Sequence, residues 1–260
     1  ASAAVLAAAR APVGGAGGAG SAQATVELPV FATEPRVKAA ELQGLDVSKV
    51  LATYETFFSR RDDQAARSRN IEVAASRLDG LVLSPGEIFS FNGLVGDRSE
   101  DSGFEKSWEI LKGEMTEGVG GGTCQVASTF HAAAFFAGLE IPLRLPHSRP
   151  SAYIPMGLDA TVVFPSVDLK VRNPFSFPVV VHTSVIGNRI KVDLLGAAKP
   201  VRIRFAREVV ETLAYRRKVV EKPELHGTEV VLRQHGIRGY RILRKRIFTY
   251  RNGRQREEVT

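Results

Sequence analysis

Apolar positions recur at helical spacing in two stretches and at strand spacing through most of the remainder. Over residues 64–79, Ile71, Ala74, Ala75 and Leu78 fall on one stripe, which predicts a helix stopped by Gly80. A second apolar run opens at Cys124 and continues to about Ala137, where Gly138 closes it. Between the two, Leu81 to Phe91 reads as short strands around the turn Ser84-Pro85-Gly86-Glu87. Strands are predicted next over Ile141–Leu145, Ala160–Phe164, Val167–Val171, Pro178–Thr183 and Arg189–Leu195, each bounded by Pro, Gly or Asn. Beyond Gly196 the pattern predicts strands near Val201–Phe205, Val209–Arg216, Glu229–Gln234, Tyr240–Tyr250 and Gln255–Val259. Residues 24–34 alternate like a strand, and residues 38–52 read as a short helix or turn. The expected fold is therefore α+β: a mixed core in which the Cys124 helix packs on strands, followed by a β-rich C-terminal segment.

Composition sets the boundaries. Residues 1–22 are rich in Ala and Gly and read as a flexible linker. Four parts are expected: the linker 1–22, a segment 23–50, a main domain 51–198 and a basic β-rich module 199–260. At 260 residues, 44% hydrophobic and 24% charged, the chain has the make-up of a globular protein with a sizeable core. No apolar run approaches the roughly 18 residues that cross a bilayer as a helix. The chain starts at Ala1 without Met, which suggests a processed form or fragment from which a signal or anchor has been removed.

The net charge of +7 is unevenly distributed. Residues 199–260 carry 17 Lys/Arg against 7 Asp/Glu, and the rest of the chain is slightly acidic. Such a segment suits an anionic partner, or simply presents a solvated basic strand face.

The chemistry centres on Cys124, the one cysteine, which follows Gly118-Val119-Gly120-Gly121-Gly122-Thr123 directly. A thiol at a helix N-terminus meets unpaired N–H groups and the positive end of the helix dipole, so a thiol pKa of about 8.5 is expected to fall. Gly120, Gly121 and Gly122 allow a sharp turn and room for a substrate. A thiolate nucleophile needs a base and an oxyanion hole. Of the five histidines, His131 shares the helix with Cys124 but stands about 10 Å further along at 1.5 Å per residue, too far to serve. His147 lies in Leu145-Pro146-His147-Ser148-Arg149-Pro150, a loop stiffened by prolines that returns towards the helix start. Asp159, just beyond, is placed to orient its imidazole. The N–H groups of Cys124 and Gln125, with the Gln125 side chain, are candidates for the oxyanion hole. Ser128 and Thr129 read as packing groups, His182 as a strand-face residue, and His226 and His235 as solvated.

Other chemistries are excluded by spacing. No Lys follows the glycines in phosphate-loop order, and the dinucleotide fingerprint is missing. One cysteine rules out an internal disulfide and a multi-thiolate zinc site, and no His, Asp or Glu has ligand spacing beside Cys124, so no metal or other cofactor is expected. Cys124 as a buried packing residue stays open.

These residues resemble a known family. Leu83-Ser84-Pro85-Gly86-Glu87-Ile88-Phe89-Ser90-Phe91-Asn92, Val95-Gly96-Asp97-Arg98, Glu117 through Val126, Ala137-Gly138-Leu139-Glu140-Ile141, Pro146 through Pro150 and Gly157-Leu158-Asp159-Ala160-Thr161-Val162 resemble, in that order, the VanW domain. The lead-in Leu51 through Phe58 fits as well. Residues 24–50 resemble the end of a peptidoglycan-binding module, and 207–260 a five-glycine module linked to the cell wall, through Gly227-Thr228-Glu229-Val230-Val231, Gly236, Gly239 and Gly253.

The resemblance implies an extracytoplasmic role on peptidoglycan stem peptides or glycan, with anionic envelope polymers as a further partner and no nucleic acid. It implies L,D-transpeptidase-like acyl transfer with Cys124 as nucleophile, His147 as base, Asp159 in support, and Ser148 and Arg149 as substrate-binding candidates. The better-known L,D-transpeptidases carry a Ser-His-Gly-Cys run that this chain lacks, so shared chemistry would sit on a different local frame. A non-catalytic wall-binding or scaffold protein and a cysteine peptidase or amidase are the alternatives.

Overall fold

A computed structural model describes residues 44–111, 114–220 and 230–260. The linker 1–22 and most of the segment 23–50, with its 24–34 strand, lie outside them, as do His226 and Gly227-Thr228-Glu229. Fifteen elements succeed one another: β1 (Lys49–Phe57), α1 (Ala65–Leu78), β2 (Leu81–Leu83), β3 (Ile88–Ser90), α2 (Phe91–Val95), β4 (Lys106–Leu111), β5 (Glu114–Val119), α3 (Thr123–Ala137), β6 (Glu140–Leu143), β7 (Lys170–Arg172), β8 (Val179–Ile186), β9 (Arg189–Gly196), β10 (Val201–Leu213), β11 (Gly239–Tyr250) and β12 (Gln255–Val259). The fold is α+β and rich in strands.

Four antiparallel sheets organise them. One has the order β1-β9-β8-β2, one β3-β7-β6, one β10-β11-β12, and β4-β5 form a hairpin. Helix α3 packs against β1, β9 and β10. It is apolar nearly all round, as a helix enclosed by other elements must be, and Val126, Ala127, Phe130, Ala133 and Ala134 are fully buried. Each buried Phe or Leu contributes about 2 kcal/mol by leaving water. Helix α1 buries Ile71, Ala74, Ala75 and Leu78, the stripe read from the sequence.

The far end of α3 is closed twice. Gly138 takes φ +91°, its N–H meeting the Phe135 carbonyl, while the Leu139 N–H reaches the Ala134 carbonyl at 3.0 Å. This is a Schellman turn, which needs a left-handed residue and so favours Gly. The buried Arg246 of β11 then donates to the carbonyls of Phe135 (3.0 Å) and Leu139 (2.9 Å). A cation on the exposed carbonyls of a helix C-terminus is stabilised by hydrogen bonds and by the helix dipole. With Ile203 and Phe205 packed on Phe135 and its neighbours, Arg246 ties the C-terminal sheet to the core. In this part of the basic segment the charge is structural, not a solvated face.

Three expectations change. Residues 49–57 form a strand, not the end of a helix or turn over 38–52, because the alternation that turns Ala52, Tyr54 and Thr56 inward straddles the end of that window. Residues 160–164 make only isolated bridges at Thr161 and Val163, since their other backbone groups bond side chains such as Ser128 and Cys124. Within 229–234, residues 230–234 form no strand and are exposed. The hairpin β4–β5 was not read from the sequence. It carries an exposed Trp108.

Candidate functional site

The glycine run ends at Gly122, which takes φ +107° as the residue before α3. A Cβ there would lie 2.9 Å from Ile71 Cγ1 and 3.0 Å from the Arg67 carbonyl. At Gly121 it would lie 2.6 Å from the Trp108 carbonyl, and at Gly120 2.7 Å from the Arg98 stem. The missing side chains are thus filled by protein, and the three glycines let α1, the β4–β5 hairpin and Arg98 close around the helix start. Asn70, fully buried, fixes this arrangement. Its amide donates to the carbonyls of Glu105 (2.9 Å) and Gly121 (3.1 Å), and its oxygen accepts the Glu105 N–H at 2.7 Å.

Cys124 stands in the first turn of α3, partly exposed. Its Sγ lies 3.4 Å from both the N–H and the carbonyl of Val162. Among the described residues its own N–H has no backbone partner, whereas the Gln125 N–H is given to the Gly122 carbonyl at 2.9 Å. The Gln125 side chain is buried and fully engaged. It accepts from Arg67 at 2.7 Å and donates to Thr56 Oγ1 and the Phe57 carbonyl, both at 2.9 Å. Of the two N–H groups expected to form an oxyanion hole, only that of Cys124 is open, and Gln125 serves as a brace for Arg67.

The proline-stiffened loop does return to the helix start. The His147 ring lies close enough to Cys124 for the two to interact electrostatically. Its Nδ1 lies 3.2 Å from Asp159 Oδ2, and the same oxygen accepts the His147 N–H at 2.7 Å. Asp159 is held in turn by Arg144 at 2.9 Å and by the Gly157 N–H at 3.0 Å. The chain of contacts runs His147, Asp159, Arg144, with Cys124 near the imidazole end. Burial works against the charged imidazolium. The hydrogen bond to Asp159 and the pull of Cys124 outweigh it and raise the His147 pKa to about 9. Burial likewise opposes ionised Asp159, but hydrogen bonds from the His147 ring and N–H, with Arg144, carry its pKa well below the usual carboxylate range.

Three further groups enter the site that the sequence did not reveal. The Tyr153 hydroxyl lies 3.5 Å from His147 Nε2, and its ring meets the imidazole edge-on. Burial, followed by the charge of Cys124, pushes the phenol pKa up. Arg67 and Arg98 both lie within electrostatic reach of Cys124. Arg98 bonds Asn92 Oδ1 at 2.7 Å and lies over the rings of Phe91 and Phe164. Among the described residues, neither arginine forms an ion pair with a carboxylate. Tyr153 is six residues from His147 and could have been suspected from the loop. Arg67 sits in a charge-rich stretch that resembles any solvated helix start.

The remaining histidines are accounted for locally. His131 is fully buried, with Nδ1 2.8 Å from the Leu158 carbonyl and Nε2 unpartnered. Burial lowers its pKa to about 3. His182 lies on β8 beside Asp79, and His235 is exposed. Ser128 spans the Ala160 N–H and carbonyl, and Thr129 bonds the Gln125 carbonyl and Thr56. Ser148 and Arg149 line a cavity of about 580 Å³ with His147 and Asp159. Among the described residues no cluster of His, Cys, Asp or Glu could hold a metal ion, and no helix is long and apolar enough to cross a membrane.

Comparison with known proteins finds relatives of the chain by sequence. A family model described as VanW like protein matches residues 66–195. An uncharacterized protein, YoaR, of Bacillus subtilis (strain 168) is 35% identical over 175 residues, 67% of this chain and 57% of the relative. The vancomycin B-type resistance protein VanW of Enterococcus faecalis (strain ATCC 700802 / V583) is 34% identical over 109 residues, 40% of each chain. The chain therefore spans less than two thirds of the length of either relative. No solved structure matches.

Proposed function

The chain belongs to the VanW-like family, and from that premise we propose that it is a cysteine acyltransferase of the bacterial cell envelope acting on peptidoglycan stem peptides, outside the cytoplasm. The observation that carries this reading is that His147, held by Asp159 at 3.2 Å, lies within interaction range of Cys124 at the start of α3. The name of the Enterococcus relative, a vancomycin resistance protein, supports a cell-wall setting.

In the proposed reaction His147 accepts the thiol proton and the Cys124 sulfur attacks a stem carbonyl at an L-centre to D-residue bond. A carbon–sulfur bond forms, and the tetrahedral oxygen takes the open Cys124 N–H as a donor. Collapse breaks the carbon–nitrogen bond, and His147 returns its proton to the departing amine. The thioester is then attacked by the amine of a second stem. His147 takes a proton from that amine, the carbon–nitrogen bond of the cross-link forms, and the carbon–sulfur bond breaks. Asp159 fixes the ring so that one nitrogen faces sulfur throughout.

Incubation with a disaccharide tetrapeptide tests the reading. Cross-linked dimers, detected by mass spectrometry, are expected with the wild type and not with Cys124→Ala. Equal dimer from both would remove Cys124 from the chemistry. Release of tripeptide without dimer would make the protein a peptidase with water as acceptor.

A further inference from the structure

The cavity that meets His147 and Asp159 has no part in the steps above. It holds about 580 Å³ between the 141–159 loop and β11, and Cys124 does not line it. That volume lies within the range of pockets that enclose small organic ligands, about 300–1,000 Å³.

Its lining is strongly cationic. Arg144, Arg149, Arg241 and Arg244 face it, against one carboxylate, Asp159, which is already held by Arg144 and His147. Arg241 reaches it from the surface, where it also pairs with Glu211 at 2.7 Å. A guanidinium fork matches an oxyanion by two parallel hydrogen bonds. The walls are not uniformly polar, because Pro146, Pro150, Met156, Tyr240 and Ile242 contribute apolar surface. A phosphodiester chain would gain nothing from that surface, whereas a short peptide with small apolar side chains and a free carboxylate would cover it. The cavity also reaches the site from the imidazole side, where the acceptor amine must give up its proton.

We propose that this cavity is the acceptor subsite, and that it binds a short stem peptide through its terminal carboxylate, held by Arg241 and Arg149. The assignment to an acceptor rests on the acyl-transfer reading. Peptide binding itself does not.

Calorimetric titration of the Cys124→Ala protein separates the two. The probes are Nα-acetyl-L-lysyl-D-alanyl-D-alanine, its C-terminal amide, and inorganic phosphate. The acid is expected to bind about tenfold or more tighter than the amide, the loss that follows removal of a charge-assisted hydrogen-bond pair. Introducing Arg241→Ala or Arg149→Ala into the same protein should weaken the acid several-fold and leave the amide unchanged. Arg241 is an exposed side chain, so its variant is expected to melt as the parent does. Equal binding of acid and amide, indifference to both arginine substitutions, or phosphate binding as tightly as the peptide would overturn the proposal. Selective binding of the acid by a protein whose wild type makes no dimer would keep the peptide site and sink the acyl-transfer reading alone.

Discussion

Asp159 grips His147 at two points with one oxygen, taking the backbone N–H at 2.7 Å and facing ring Nδ1 at 3.2 Å. The loop and the imidazole are therefore positioned together, and the ring is left with Nε2, which faces the Tyr153 hydroxyl at 3.5 Å. Asp159→Asn keeps the shape and removes the charge. Its expected effect is a His147 pKa drawn down from about 9 towards 6.5, read by NMR titration of the ring protons. Iodoacetamide labelling of Cys124 near neutral pH should slow, because less positive charge is left on the imidazole beside the sulfur. An unmoved His147 titration would show that Asp159 is not its partner in solution.

Two buried histidines make stability depend on pH in opposite senses. His147 has a folded pKa near 9, above its ordinary 6.5, so the native state holds the extra proton. Its contribution is complete below 6.5 and is lost as pH rises towards 9. His131 has a folded pKa near 3, so the unfolded chain binds the extra proton between 3 and 6.5, and stability falls as pH drops through that window. Thermal melts should show His147→Gln flattening the alkaline limb and His131→Asn flattening the acid limb. Parallel curves for wild type and both variants would contradict the assignment.

Arg246 stands where sequence reading saw a basic tail. Replacing it by Ala leaves the Leu139 carbonyl without its donor and the Phe135 carbonyl with only the Gly138 N–H, at an expected cost of about 3 kcal/mol. Urea unfolding measures this. Arg256→Ala, on an exposed side chain of β12, should change stability by less than about 0.5 kcal/mol. A cost for Arg246→Ala as small as that would show that the C-terminal sheet is not tied to α3.

Arg67 and Arg98 supply positive charge near the sulfur, and Asp168 and Asp97 offset part of that of Arg98. Their substitution by Met, singly, should slow Cys124 alkylation several-fold, with the larger effect at low salt, where a Debye length of about 30 Å leaves charges unscreened. Rates independent of both charge and salt would assign the two arginines to packing alone.

What was legible in the sequence had local causes. The stripe of α1, the glycine stop at Gly138, the helix start at Cys124 and the alternation of β8 and β9 each depend on residues a few positions apart. His147 and Asp159 were both offered as candidates by a proline-braced loop and the turn just after it, and the structure pairs them across twelve positions. Arg67, Arg98 and Arg246 were not. Their roles depend on contacts across 57, 26 and more than 100 positions, and no short-range pattern separates such an arginine from a solvated one. The glycine run shows the same limit. Its restriction to Gly was plain, but only the packed structure shows that Arg67, Arg98 and Trp108 occupy the space.

The central claim is that Cys124 carries the acyl group, and a direct measurement is the mass of the intact protein after brief exposure to a disaccharide tetrapeptide whose side-chain amine is acetylated, so that it can donate but not accept. The account predicts a covalent adduct equal to the disaccharide tripeptide acyl group, mapped to Cys124, released by an added amine, and missing in Cys124→Ala. An unmodified wild type that forms cross-linked product from the unblocked compound, or an adduct that persists in Cys124→Ala, would contradict it.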